Sequence, residues 1–295
     1  MRGMLGWVTR SEAPAAAPAP VRLELSGPRL TRSLARLVAD AEAQGGIERY
    51  VEALKLKAVL FKDAFGPDGA AAETIEPEAF KALCPFMATV RRRIARWLER
   101  PSYDVLREEI ACLLGGLADT SSADRRLGAF GARLGAGAEE RWVRDLGAEL
   151  LHNLAPERYP LMNRWVWDAA TNTGVVREIW FAEDVDHTHI DVPDGYATFL
   201  ALREELSQFL SQNGFFRDVM HYVDLLCAQI YAEYICEQGG SYLRTDFSAE
   251  EDPLQYTRRL LGLDGVRAGN GRTRLKTIDG EAFVMDLRPD PPLLD

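Results

Sequence analysis

The sequence predicts a mainly α protein: a single multi-helix domain around a central buried helix over residues 215–238, with a small β-hairpin at the C-terminus. Three observations carry this prediction. Apolar residues recur at helical spacing through most of the chain from about Arg29 onward. The segment 215–238 is apolar on two opposite sides, with Val219, Val223, Leu226 and Ile230 on one and Leu225, Ala228, Ala232 and Ile235 on the other. A helix of that kind is covered all round. The last segment, GRTRLKTIDGEAFVMDLRP, alternates about Asp279-Gly280, which is a hairpin signal.

The elements follow in order. Residues 1–26 contain the Ala/Pro tract SEAPAAAPAP, which packs no core and reads as a tail. Residues 27–265 form the helical domain, and 266–295 the hairpin and its end. SLARLVADAEAQ stops at Gly45-Gly46, and IERYVEALKLKAVLFKDAF stops at GPDG. PEAFKALCPFMATVRRRIARWLE carries Pro85 inside it and should kink or split there. YDVLREEIACLL and EERWVRDLGAELLHNL are amphipathic. Asn163 reads as the N-cap, and Gly174 as the stop, of a short helix. Asn213-Gly214 joins a helix over 193–213 to the central one, and LQYTRRLLGLDG follows it.

Composition excludes several classes. A formal charge of −10 opposes broad nucleic-acid binding, which needs a basic surface to displace counterions. No apolar run approaches the roughly 20 residues that span a bilayer, and the N-terminus lacks a signal-peptide core, so a cytoplasmic location and no membrane partner are expected. Cys84, Cys112, Cys227 and Cys236 form no C-x-x-C and are expected as buried free thiols. No Gly-rich phosphate loop of either common type is present.

Four groups of residues could carry chemistry. Glu149-x-x-His152 and Asp218-x-x-His221 have the spacing of carboxylate-bridged di-metal bundles. Val143, Leu146, Leu150 and Leu154 set a buried face that leaves Asp145, Glu149 and His152 toward water, which opposes that reading. His221, between Asp218 and Asp224, is then a structural His–Asp pair, or a general base or metal ligand in a cleft. His187, His189 and Asp191 project to one side of an extended segment and could share a divalent metal; no other cofactor is expected. Arg92, Arg96 and Arg100 make an i, i+4 stripe for water or for an anionic partner. Trp165 and Trp167, two apart on a presumed helix, cannot both face inward, so one is a candidate partner contact.

LLHNLAPERYPLMNRWV resembles a helix–corner–helix of helical, nucleic-acid-associated proteins. GGSYLRTDFSAEEDPLQYTRRLLGLDG resembles proteins of sulfur-oxidising bacteria encoded beside heterodisulfide-reductase-like subunits, which implies an accessory part in such a system. The expectation from residues alone is a soluble helical accessory protein that binds another protein within a larger bacterial-type assembly, without a recognisable catalytic apparatus. A metal-dependent protein using His187, His189 and Asp191, and a nucleic-acid-associated helical protein, are the alternatives.

Overall fold

The computed structural model describes residues 21–135, 141–182, 188–242 and 253–263, and the backbone of 272–276 and 282–286. Ten α-helices are present among them: α1 (Gly27–Glu42), α2 (Glu48–Phe65), α3 (Pro77–Leu83), α4 (Ser102–Leu114), α5 (Ala123–Leu134), α6 (Trp142–Leu154), α7 (Val175–Glu178), α8 (Tyr196–Gln212), α9 (Val219–Tyr242) and α10 (Pro253–Leu260). The mainly helical class is therefore what the structure shows. Arg272–Lys276 and Ala282–Asp286 pair antiparallel in the backbone. The turn predicted at Asp279-Gly280 lies outside the described residues, so the hairpin as a whole stays an expectation.

Local chemistry accounts for the helix ends. Pro28 sits in the first turn of α1, where its missing N–H has no intrahelical use. Leu30, Leu34, Leu37 and Ala41 then form its buried face. Gly66, at φ 70°, stops α2. Pro77 opens α3, and Pro85 ends it by tightening Cys84–Phe86 into a 3-10 turn.

Helix α9 is the hub, packing on α1, α2, α7, α8 and α10. Both of its apolar sides are buried: Val223, Leu226 and Ile230 on one, Leu225, Ala228 and Ala232 on the other. It begins at Val219 rather than 215, because Asp218 adopts a left-handed backbone (φ 53°) that a right-handed helix cannot include.

Three expectations are corrected and one helix is added. Residues 21–26, expected within the tail, are tied to the domain: Leu25 bridges Trp180, and the Ser26 N–H donates to the Ile179 carbonyl. Residues 87–100 form successive tight turns and one 3-10 turn (Ala95–Trp97) rather than an α-helix, each turn anchored by the next buried residue, Met87, Val90 or Ile94. No helix runs from Asn163 to Gly174; the chain bends through an Asp168–Thr173 bridge, and α7 begins only at Val175. Helix α5 was not anticipated, since Gly128 and Gly131 lower its helix propensity, although Ala123, Leu127, Phe130 and Leu134 make an apolar face.

The cysteines are free thiols, but only Cys84 and Cys227 are buried; Cys112 is exposed and Cys236 half-buried. No described helix is long and apolar enough to cross a membrane.

Helix α6 meets α5 at Gly147, where an added Cβ would lie 2.8 Å from a Leu127 methyl and 3.2 Å from the Phe130 ring. Gly147→Ala should therefore lower the urea midpoint. Overpacking costs about 1–3 kcal/mol, which outweighs the roughly 1 kcal/mol gained in helix propensity.

Candidate functional site

Two places in the fold gather polar side chains. The first is a buried network along α6. Asp145, Glu149, His152 and Asn153 form one stripe of this helix, and all four are buried. This overturns the expectation that Asp145, Glu149 and His152 face water. Helices α2, α4 and α5 pack around α6, and the segment from Tyr159 to Arg164 closes the side that the apolar pattern had left open.

Glu149 is the most connected member. Its Oε2 accepts from Lys57 Nζ at 3.0 Å and from Asn153 Nδ2 at 3.1 Å, and its Oε1 accepts from Asn163 Nδ2 at 3.0 Å. Lys57 Nζ also donates to the Leu261 carbonyl at 3.1 Å. A buried carboxylate is tolerated when its charge is matched and its lone pairs are filled, and here both conditions are met. The Lys57 ammonium faces Glu149 where a di-metal reading would need a metal. Asp145 is held by Arg164, through side chain and backbone N–H, both at 2.9 Å. Burial pushes its carboxyl above the usual range, and Arg164 opposes that rise.

His152 bridges two acceptors. Nδ1 lies 2.9 Å from the Tyr159 carbonyl and Nε2 lies 3.0 Å from Asp224 Oδ2. A carbonyl and a carboxylate both accept, so this pair of partners favours a proton on each ring nitrogen. Burial lowers its affinity for the proton, but Asp224, the Tyr159 carbonyl and Glu149 together hold it above the ordinary histidine value.

His221 is nearby and differs. Asp218, expected beside it, is turned away to Lys55 at 2.8 Å, and Asp224 is bonded to His152. His221 Nδ1 is buried without a partner. Burial first, then the His152 charge and Lys55, depress its proton affinity against the pull of Asp224 and Asp218. The space between His221, His152, Asp224, Asn153 and Lys57 is only about 10 Å³, room for one water and for no substrate. Among the described residues no group of three or more His, Cys, Asp or Glu is placed to hold a metal.

The second place is a groove of about 520 Å³ between α5, α6 and the start of α8. Leu127, Val143 and Met162 line its apolar part, and Arg141, Arg144 and Arg164 line its polar part. Arg141 pairs with Asp168, and Arg144 pairs with the carboxylate and carbonyl of Asp194.

The remaining predicted residues are dispersed. His187 lies outside the described residues, and His189 and Asp191 are exposed. Arg92, Arg96 and Arg100 are exposed as expected, though on turns rather than a helical stripe, and Arg100 reaches Glu76 and Asp104 at 3.6 and 3.8 Å. Trp165 and Trp167 are both buried, which removes them as surface contacts: without the presumed helix, a bend lets both face inward. Trp167 Nε1 donates to the Val192 carbonyl at 3.0 Å, and Trp165 packs on Tyr231.

Sequence reasoning missed Lys57, the His152–Asp224 pairing and the arginine-lined groove. A signal for the first was present. Lys57 falls on the apolar face of α2 with Leu54, Ala58 and Phe61, a place where a cation needs a buried acid. Compared with protein-family models, curated proteins and solved structures, the chain matches none.

Two outcomes follow from the network. Lys57→Met leaves Glu149 buried and unpaired and should cost on the order of 3–5 kcal/mol, read by urea unfolding. The two histidines should also shape stability against pH in opposite directions. His152 is raised in the fold, so its contribution is full below about pH 6.5 and is lost as pH climbs through its folded value. His221 is lowered, so stability is lost as pH falls below about 6.5. His152→Gln should flatten the alkaline limb of urea midpoint against pH, and His221→Gln the acid limb; unchanged limbs would refute these assignments.

Proposed function

We propose that the chain is a helical accessory protein that acts by binding another protein, not by chemistry in its core. The observation that carries this is the exposed basic segment. Arg92, Arg93 and Arg96 face solvent on tight turns held down by Val90 and Ile94, which are fully buried. That segment stands out on a chain of formal charge −10, so it complements an acidic patch on a partner while the rest of the surface repels one. A polyanion such as nucleic acid would meet that repulsion over a larger area. The buried network supports the same reading, because its titratable groups are engaged mainly with one another around a space of one water.

The test is the size of the protein in extracts of its own cells, by size-exclusion chromatography and mass spectrometry. The wild-type chain should elute in a complex with a defined protein partner. Arg92→Glu/Arg96→Glu, or salt of about 1 M, should release it, since exposed charge pairs are strongly screened there. Elution as the bare chain, or a complex that survives charge reversal, would refute the proposal.

A further inference from the structure

We infer that the groove between α5 and α6 binds a small amphipathic anion, an apolar body bearing one carboxylate or phosphate group. This is separate from the basic segment and does not depend on it. The groove's volume of about 520 Å³ falls within the roughly 300–1,000 Å³ of small-molecule sites.

The apolar end is kept empty by glycine. A Cβ at Gly128 or Gly131 would meet nothing within 4 Å, and both residues line the groove. Glycine inside a helix is unfavourable by about 1 kcal/mol relative to alanine. At Gly147 a close approach accounts for it; at Gly128 and Gly131 no neighbour does. Their effect is to leave room above Leu127, Val143 and Met162, whose few exposed atoms (9%, 1% and 2% of each) floor the groove for an apolar ligand body.

The polar end favours an anion. Each guanidinium carries five donors, and Arg141, Arg144 and Arg164 spend only part of theirs on Asp168, Asp194 and Asp145. The three arginine side chains are 36%, 31% and 25% exposed, whereas Asp168 and Asp145 are 6% and 1% exposed. Asp194 is 29% exposed but bound by Arg144, and Asp124 accepts from the Tyr196 N–H at 2.7 Å. Among the described residues the three arginines thus keep unused N–H donors, and Asp124, which is exposed, is the one lining carboxylate that no arginine holds. Arg141 and Arg144 also stand at the start of α6, where the helix dipole adds partial positive charge. A carboxylate or phosphate meets donors already oriented by their aspartates.

The experiment uses the full chain and the fluorescent probe 8-anilinonaphthalene-1-sulfonate, with octanoate, octyl phosphate, 1-octanol and octylammonium as competitors. The probe should saturate one site on the folded protein. Gly131→Leu, which fills open space on a helix, should weaken the probe by about tenfold or more with an unfolding midpoint no lower than wild type. Octanoate or octyl phosphate should displace the probe about tenfold better than octanol, and Arg144→Gln should erase that advantage. Whichever anion competes better names the head group. No saturable binding, equal binding to Gly131→Leu, or octanol and octylammonium competing as well as octanoate would each overturn the inference.

Discussion

The pairing of Lys57 with Glu149 is the constraint on which the rest of the fold depends. Two charges in a closed core are tolerated only if they stay within hydrogen-bonding distance and keep their other partners. Apolar helices can slide by a turn and still bury similar area. Here a slip of α2 against α6 would strand an ammonium on one side and a carboxylate on the other. The same Glu149 takes Asn163, which fixes the corner after α6, and the same Lys57 takes the Leu261 carbonyl, which fixes the turn after α10. One ion pair thereby sets the position of four separate parts of the chain.

A second set of polar crossbars does similar work on the far part of the hub. Ser33 donates to Glu233 at 2.8 Å, Gln229 donates to Glu233 at 3.2 Å, and Thr257 donates to Gln229 at 2.8 Å. These bonds connect α1, α9 and α10 in a fixed register. Asp224, further toward the start of α9, joins it to α6 through His152. The hub is thus apolar over most of its surface, and its buried Asp224, Gln229 and Glu233 tie it to α6, α10 and α1 in turn. Interiors with matched polar groups specify one arrangement where purely apolar ones admit several.

Much of this architecture was legible in the sequence because helical periodicity is a local signal. The two-sided apolar pattern of 215–238 marked the hub, and Pro85 marked a real break. The same two-sided test, applied to α6, would have found Ala148 and Leu151 opposite Leu146 and Leu150, and with them a buried polar stripe. One-face reasoning sent that stripe to solvent. The bend at 163–174 was missed because a buried Asn163, held by Glu149 across the core, looks in sequence like an N-cap. Contacts such as His152 with Asp224 join positions far apart in the chain, and no local pattern encodes them. The groove was invisible for a related reason: Gly128 and Gly131 weakened the very helix whose wall they form.

The distance along the chain between Lys57 and its acceptors also has a consequence in time. Glu149 follows Lys57 by 92 residues and Leu261 by 204. At synthesis rates of about 5–20 residues per second, the Leu261 carbonyl is made roughly 10–40 s after the lysine. Until then the ammonium has an incomplete shell, and the early helices cannot close over it without leaving a donor dry. A dry donor costs about 1–3 kcal/mol or more, so closure of α2 before then is disfavoured by that amount. The last acceptor of an early charge is thus made late.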